Sequence, residues 1–108
     1  MQNLYKELVE ILTKNNKTIE DIKFISIDKG KFWESDYIEI DIDNFLEVAK
    51  ATNYDDGYGS VEIPISLKIV GDDWWLERYQ YDGSEWFTFK TKPIRPSRLE
   101  HIDNIVID

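Results

Sequence analysis

The sequence predicts one α+β domain covering residues 1–108, with an antiparallel β-sheet of about four to five strands and one or two helices packed on one face. Three observations lead to this class. A chain of 108 residues has room for a single domain. Apolar residues recur at helical spacing in two stretches, and elsewhere they alternate with polar residues, as in strands. The elements then follow in the order α-β-β-α-β-β-β.

The first helix is predicted at about residues 2–15, where the helical spacing of apolar side chains continues until two asparagines interrupt it. Thr18, followed three residues later by Asp21, can cap one helical turn. From residue 22 to residue 27, β-branched and aromatic side chains favour a strand.

The next strand is predicted around residues 38–42, where isoleucines alternate with acidic residues. A second helix should follow, capped by Asp43 or Asn44. Residues 61–69 show the clearest strand alternation of the chain. Residues 98–108 are compatible with either a final strand or a short helix.

Residues 74–81 and 85–91 are predicted to pair as a hairpin around an Asp82-Gly83 turn. Alternation divides the first strand into a face with Trp74, Leu76 and Arg78 and a face with Trp75, Glu77, Tyr79 and Tyr81. Two interpretations remain open: both faces pack, or one face exposes an aromatic patch of the kind that protein-binding hot spots favour. The acidic residues that flank these rings argue against a platform for single-stranded nucleic acid, which requires basic surroundings.

The formal net charge of −9 is concentrated in the middle of the chain. Residues 34–73 contain eleven acidic residues and only two lysines, whereas the flanking stretches are nearly neutral. A field of this sign repels nucleic acid and anionic membranes and attracts basic protein surfaces. The sequence therefore predicts a basic, nucleic-acid-binding protein as partner, with no direct contact to nucleic acid or membrane.

On a strand around Ile40, outward side chains at alternate positions would stand about 6.6 Å apart. Glu39, Asp41 and Asp43 would then form a row of carboxylates that can substitute for DNA phosphates. Ordinary solvation of a charged face is the alternative. The residues predicted to bind the partner are Asp36, Glu39, Asp41, Asp43, Asp55, Asp56, Asp72, Asp73, Trp75 and Trp86.

No sequence motif points to an enzyme. The chain has no cysteine and one histidine, His101, and it contains neither a nucleophile elbow nor a phosphate-binding loop. The stretch from Asp55 to Glu62 resembles a calcium loop but lacks oxygen ligands at required positions. We therefore expect no catalytic residue, no metal and no cofactor, and we expect the protein to act in the cytoplasm, since no signal-peptide pattern is present.

Residues 54–87, with the motifs VGDDWWLER and YDGSEW, resemble a segment of small, uncharacterised proteins from bacterial phages and prophages. The resemblance implies a mobile-element origin, and small acidic proteins of such elements often inhibit host restriction or CRISPR systems, some by imitating DNA. The expected function is therefore non-enzymatic inhibition of a host-defence nuclease or its complex. The alternative is a phage structural or regulatory protein that binds through an aromatic protein–protein interface, with a homodimer left open.

Overall fold

The computed structural model describes residues 1–55 and 61–106. Its regular elements are β1 (Gln2–Asn3), α1 (Leu4–Lys14), a 3₁₀ turn (Ile19–Asp21), β2 (Phe24–Asp28), β3 (Tyr37–Ile40), α2 (Ile42–Lys50), β4 (Asn53–Tyr54), β5 (Lys68–Val70), β6 (Trp74–Tyr81) and β7 (Ser84–Thr91). The five strands β3-β2-β5-β6-β7 form one antiparallel sheet in this order, and β1 pairs with β4. The predicted α+β class is confirmed.

Helix α1 forms because its apolar side chains lie on one stripe, which buries Leu4, Leu8 and Leu12 in the core. The side chain of Asn3 caps its first turn by accepting the Lys6 N–H at 3.1 Å. The predicted turn after the helix is also present: the Asp21 carboxylate accepts the backbone N–H of the residue three positions earlier at 2.8 Å.

Helix α2 begins earlier than predicted. The Asp41 carboxylate accepts the Asn44 N–H at 3.0 Å, so Asp41 is the N-cap, and neither Asp43 nor Asn44 has that role. Ile42, expected in the strand, is therefore the first residue of the helix. The ladder between β3 and β2 ends at the pair Ile40–Ile25, because the next residue, Asp41, turns the chain into the helix as its N-cap.

The long strand predicted for residues 61–69 is wrong, since only its last two positions enter β5. A turn closed by the Leu67 N–H and the Pro64 carbonyl, 3.1 Å apart, interrupts it. Pro64 itself has no N–H to donate to a ladder. The predicted strand or helix after residue 98 is also absent from the described residues, since positions 92–106 have no regular structure and are exposed.

The hairpin β6–β7 agrees with the prediction. Asp82 and Gly83 have φ values of 50° and 87°, as a primed turn requires. Trp74, Leu76 and Arg78 are buried on the sheet face that packs against the helices, whereas the side chains at the positions between them, and Tyr79, point outward. Within the described residues, neither helix has the length and apolar character needed to cross a bilayer.

We expect Gly71→Ala to reduce the free energy of unfolding by about 1–3 kcal/mol. A Cβ atom at Gly71 would lie 2.1 Å from the ring of Trp74, and that ring is buried. Urea titration measures the loss. Asp73→Ala in the same turn, with an exposed side chain, should change stability by less than about 0.5 kcal/mol; equal losses for both variants would contradict the steric cause.

Candidate binding surfaces and a buried polar cluster

The sheet has one face against the helices and a second, outer face that carries aromatic side chains. Tyr79, Tyr81 and Trp86 lie together on the outer face of the hairpin, and we call them the hairpin patch. Tyr79 and Trp86 are 55% and 39% exposed. They are directly opposite each other in the register, and their ring centroids are 5.3 Å apart. This pairing fixes two large rings in place at the surface.

Trp86 also lines a cleft between β7 and α1, with a volume of about 240 Å³. Glu7, Glu10 and Lys14 are among the side chains on its helical side. The cleft is smaller than the pockets of about 300–1,000 Å³ that usually hold small molecules. It is therefore more suitable for one side chain of a protein partner than for a metabolite.

Trp75 lies on the same outer face but is less accessible than the hairpin patch. Its indole N–H donates to the Glu77 carboxylate at 2.8 Å, and the Lys90 ammonium lies 3.3 Å from that carboxylate. The indole hydrogen bond and then Lys90 lower the pKa of Glu77 below its usual value. Trp75 is thus half-buried and held by polar neighbours, and of the two predicted tryptophans Trp86 is the more exposed.

Four of the predicted carboxylates gather at one end of the sheet: Asp41, Asp43, Asp72 and Asp73, here called the acidic end. The sheet topology causes this, because β3 and β5 both run antiparallel to β2 and finish beside its first residues. All four residues are exposed. Lys23 lies 3.9 Å from Asp72, with both side chains largely exposed, so this ion pair contributes little.

The other predicted acidic residues lie elsewhere. Glu39 is on the outer face of β3, and Asp36 precedes that strand at the opposite end of the sheet. Asp55 follows β4 and donates its backbone N–H to Glu62 at 2.9 Å. Asp56 lies outside the described residues. The predicted row of Glu39, Asp41 and Asp43 along one strand is therefore wrong, because the second member caps α2 and the third lies in its first turn.

The role of Asp41 as a cap gives a second prediction. Asp41→Ala should cost about 1 kcal/mol of stability, whereas Asp41→Asn should cost almost nothing, because asparagine caps equally well. Thermal unfolding of both variants measures the difference. If asparagine destabilises as much as alanine, the carboxylate charge and not the hydrogen bond is responsible. Tests of charge at the acidic end should therefore use asparagine at this position.

A loop that sequence reasoning did not single out exposes two further aromatic side chains, Phe32 and Trp33, between β2 and β3. The Asp28 carboxylate holds the loop by accepting the N–H groups of Asp36 and Gly30, each at 2.8 Å. These hydrogen bonds, that from Asp36 first, lower the pKa of Asp28. The composition of the stretch gave no indication of which aromatic residues would lack a packing partner.

The sequence also did not predict a buried polar cluster, which consists of Glu7, Tyr54, Arg78 and Glu85. The Arg78 side chain is 1% exposed and donates to Glu7 at 2.9 Å, to the Tyr54 oxygen at 3.0 Å and to Glu85 at 3.1 Å. The Tyr54 hydroxyl donates to Glu7. The guanidinium also lies over the ring of Phe87, 4.6 Å from its centroid. These contacts join α1, β4, β6 and β7.

The two carboxylates of the cluster also bind backbone groups. Glu7 accepts the Phe87 N–H at 3.1 Å, on the edge strand β7. Glu85 accepts the N–H groups of Glu62 and Ile63 at 2.9 and 3.1 Å, which fixes the irregular stretch before β5. Because nearly every polar atom has a partner and the cluster is buried, it acts as a structural clamp.

Tyr54 gives a pH-dependent prediction. Burial, followed by the hydrogen bond to Glu7, raises the pKa of the Tyr54 hydroxyl above its usual value of 10.0. The unfolded chain therefore loses this proton first, so the stabilisation is complete below about pH 10 and decreases above it, by about 1.4 kcal/mol per pH unit.

Tyr54→Phe should be less stable than the natural chain by about 1–3 kcal/mol at pH 8, and the difference should shrink above about pH 10. Urea titrations at successive pH values measure it. Tyr81→Phe, at an exposed position, is the control and should follow the natural chain. A constant difference between the Tyr54 variant and the natural chain up to about pH 11.5 would show that this hydroxyl titrates normally.

Within residues 1–55 and 61–106, no group of three or more His, Cys, Asp or Glu side chains is arranged to hold a metal ion. His101 is exposed and lies 3.4 Å from Asp103. Comparison of the chain with protein-family models, curated proteins and solved structures gives no match. The function is therefore inferred from the surfaces described above.

Proposed function

We propose that the chain is a non-catalytic protein-binding domain that contacts its partner through the hairpin patch. The observation that carries the proposal is the exposed ring pair Tyr79–Trp86 on a regular two-stranded hairpin. Tryptophan and tyrosine dominate the binding energy of protein interfaces when a partner encloses them. Because the ring pair is already fixed by cross-strand packing, little side-chain entropy is lost on binding.

The surroundings of the ring pair support a protein partner over a small ligand. Tyr81, 72% exposed, extends the aromatic surface toward the turn, and the cleft beside Trp86 can receive one partner side chain. Asp82 and Glu10 are exposed near this surface and provide a polar rim. An aromatic centre with a polar rim is the usual composition of a protein interface.

A second candidate function rests on the acidic end. Four exposed carboxylates at one end of the sheet suit a positively charged groove, such as the nucleic-acid channel of a host-defence nuclease or its complex. In this role the protein would inhibit a restriction or CRISPR system by occupying the site of DNA. Only part of the carboxylates would take part, because Asp36 and Asp55 lie away from the acidic end.

Capture experiments from a bacterial lysate separate the two functions. The natural chain and the variants Tyr79→Ala/Trp86→Ala and Asp72→Asn/Asp73→Asn serve as bait at about 0.1 M and about 1 M salt, where the Debye length is about 10 Å and about 3 Å. A partner bound through the hairpin patch should stay at high salt and be lost only with the aromatic variant. A partner bound through the acidic end should be lost at high salt and with the asparagine variant. A partner that both variants retain at both salt concentrations contradicts both functions.

A further inference from the structure

The segment after β7, residues 92–106 and here called the arm, carries aliphatic side chains that the domain does not bury. Ile94 and Leu99 are 90% and 98% exposed. Pro93 and Pro96 restrict the root of the arm, because each fixes its own φ and disfavours helical backbone in the residue before it. The described arm has no regular secondary structure, and all its residues are exposed. The large aliphatic residues concerned are Ile94, Leu99, Ile102, Ile105 and Val106.

The arm begins at the acidic end, since Thr91 pairs with Trp74 at the start of β6. The backbone N–H of Lys92 donates to the Asp73 carbonyl at 3.0 Å. Among the described residues, however, the Lys92 and Arg95 side chains form no ion pair. The same holds for the side chains of three carboxylates of the acidic end, namely Asp41, Asp43 and Asp73.

Arg98 differs from the other two cations of the arm, because it already forms an ion pair with Glu100. Lys92 and Arg95 are therefore the cations that remain for another surface. They lie at the root of the arm, close to the acidic end, but within one chain they form no ion pair with its carboxylates. This complementarity favours pairing between two chains.

We infer that two copies of the chain associate about a twofold axis beside the acidic end, with the arm of each lying on the acidic end of the other. Because the arm starts at this end, a twofold axis there brings each root against the carboxylates of the second copy without a linker. Residues 92–98, extended at about 3.1 Å per residue, span about 22 Å. Five strands at about 4.8 Å spacing are about 24 Å wide, so residues 92–98 alone, when extended, reach across most of the sheet of the second copy.

The aliphatic part of the arm then reaches the apolar row nearest the acidic end. In this row Phe24 pairs with Val70, and Val70 pairs with Trp75, on the outer face of the sheet. Phe24 is exposed and the other two are half-buried in the single chain. The dimer leaves the hairpin patch free and is thus independent of the function proposed for it, whereas a basic partner at the acidic end would compete with the arm.

Mixing two charge variants tests the dimer. The arm variant is Lys92→Glu/Arg95→Glu, and the end variant is Asp43→Lys/Asp73→Lys, which keeps the Asp41 cap. Light scattering after size exclusion should give a dimer for the natural chain and a monomer for each variant alone. The equimolar mixture should form a heterodimer, because each arm then meets an acidic or basic end of opposite charge. The control Glu34→Lys/Asp36→Lys, which changes the charge by the same amount as the end variant but at the opposite end of the sheet, should remain a dimer.

Three results would overturn the inference. The first is a natural chain that is monomeric at all concentrations. The second is that both variants remain dimers on their own. The third is a mixture that stays monomeric although circular dichroism shows that both variants are folded. Leu99→Asp/Ile105→Asp gives a separate readout of the apolar contact. Since both side chains are exposed in one chain, this variant should fold normally but raise the dimer dissociation constant at least about tenfold. An unchanged constant would contradict the contact.

Discussion

Replacing Arg78 by methionine should destabilise the domain by about 3–5 kcal/mol. The substitution removes a guanidinium that donates to Glu7, Tyr54 and Glu85, and leaves two carboxylates buried without their cation. Small domains have only about 5–15 kcal/mol of stability in total, so the variant should be close to unfolding at ambient temperature. Urea titration followed by circular dichroism measures the loss.

Two further variants separate charge from packing at Arg78. Arg78→Lys keeps the cation but cannot reach several acceptors at once, so it should still lose about 1–3 kcal/mol. The triple variant Glu7→Gln/Arg78→Met/Glu85→Gln should be more stable than Arg78→Met alone, because no unpaired charge remains and the single amide oxygen at each glutamine position still accepts one backbone N–H. If Arg78→Met lowers the free energy of unfolding by less than about 0.5 kcal/mol, as an ordinary surface substitution does, the buried cluster does not stabilise the fold.

The Arg78 cluster could not be predicted from the sequence because its contacts are not local. Glu7 lies 47 positions from Tyr54 and 71 positions from Arg78. Alternation did place Arg78 on the same face as Trp74 and Leu76, so the sequence indicated a charged side chain on an otherwise apolar face. Its partner remained unknown, since a glutamate beside the apolar stripe of a helix is equally compatible with exposure.

The hairpin was predictable because its determinants are adjacent in the chain. Asp82-Gly83 adopts the positive φ angles that a two-residue turn needs, and strict alternation then fixes which side chains share a face. Helix α1 and the turn at residues 19–21 were predictable for the same reason. The sequence of α1 contains both the periodic pattern and the asparagines that end it, and the sequence of the turn contains both residues of its capping pair, Thr18 and Asp21.

Residues 61–69 show where periodicity misleads. Of the alternating apolar residues, Ile63, Leu67 and Ile69 are buried, but Val61 and Ile65 are exposed. The reason is that Glu85 binds the backbone of the first part and a turn at Pro64 redirects the second. The acidic end could not be derived either, because it forms only when β3 and β5 finish on either side of β2. The charge excess of the middle stretch was evident from the sequence, but its division between two ends of the sheet was not.

Trp86→Ala should weaken binding of a partner at the hairpin patch by at least about 2 kcal/mol, which is about a thirtyfold increase in dissociation constant. The reason is the loss of a rigid indole that is 39% exposed and that Tyr79 holds in position. The fold should tolerate the change, with a loss of about 0.5–1.5 kcal/mol for the ring pair. Titration of the captured partner by calorimetry measures the first effect, and thermal unfolding the second.

Phe32→Ala is the matched control for this prediction, because it also removes an exposed aromatic ring, but on the loop between β2 and β3. In the sheet order, β2 and β3 are separated from β6 and β7 by β5, so one compact contact centred on Trp86 should not depend on that loop. Binding to the Phe32 variant should therefore equal binding to the natural chain. If Phe32→Ala abolishes binding and Trp86→Ala does not, the aromatic interface lies at the β2–β3 loop and the hairpin patch is not the contact surface.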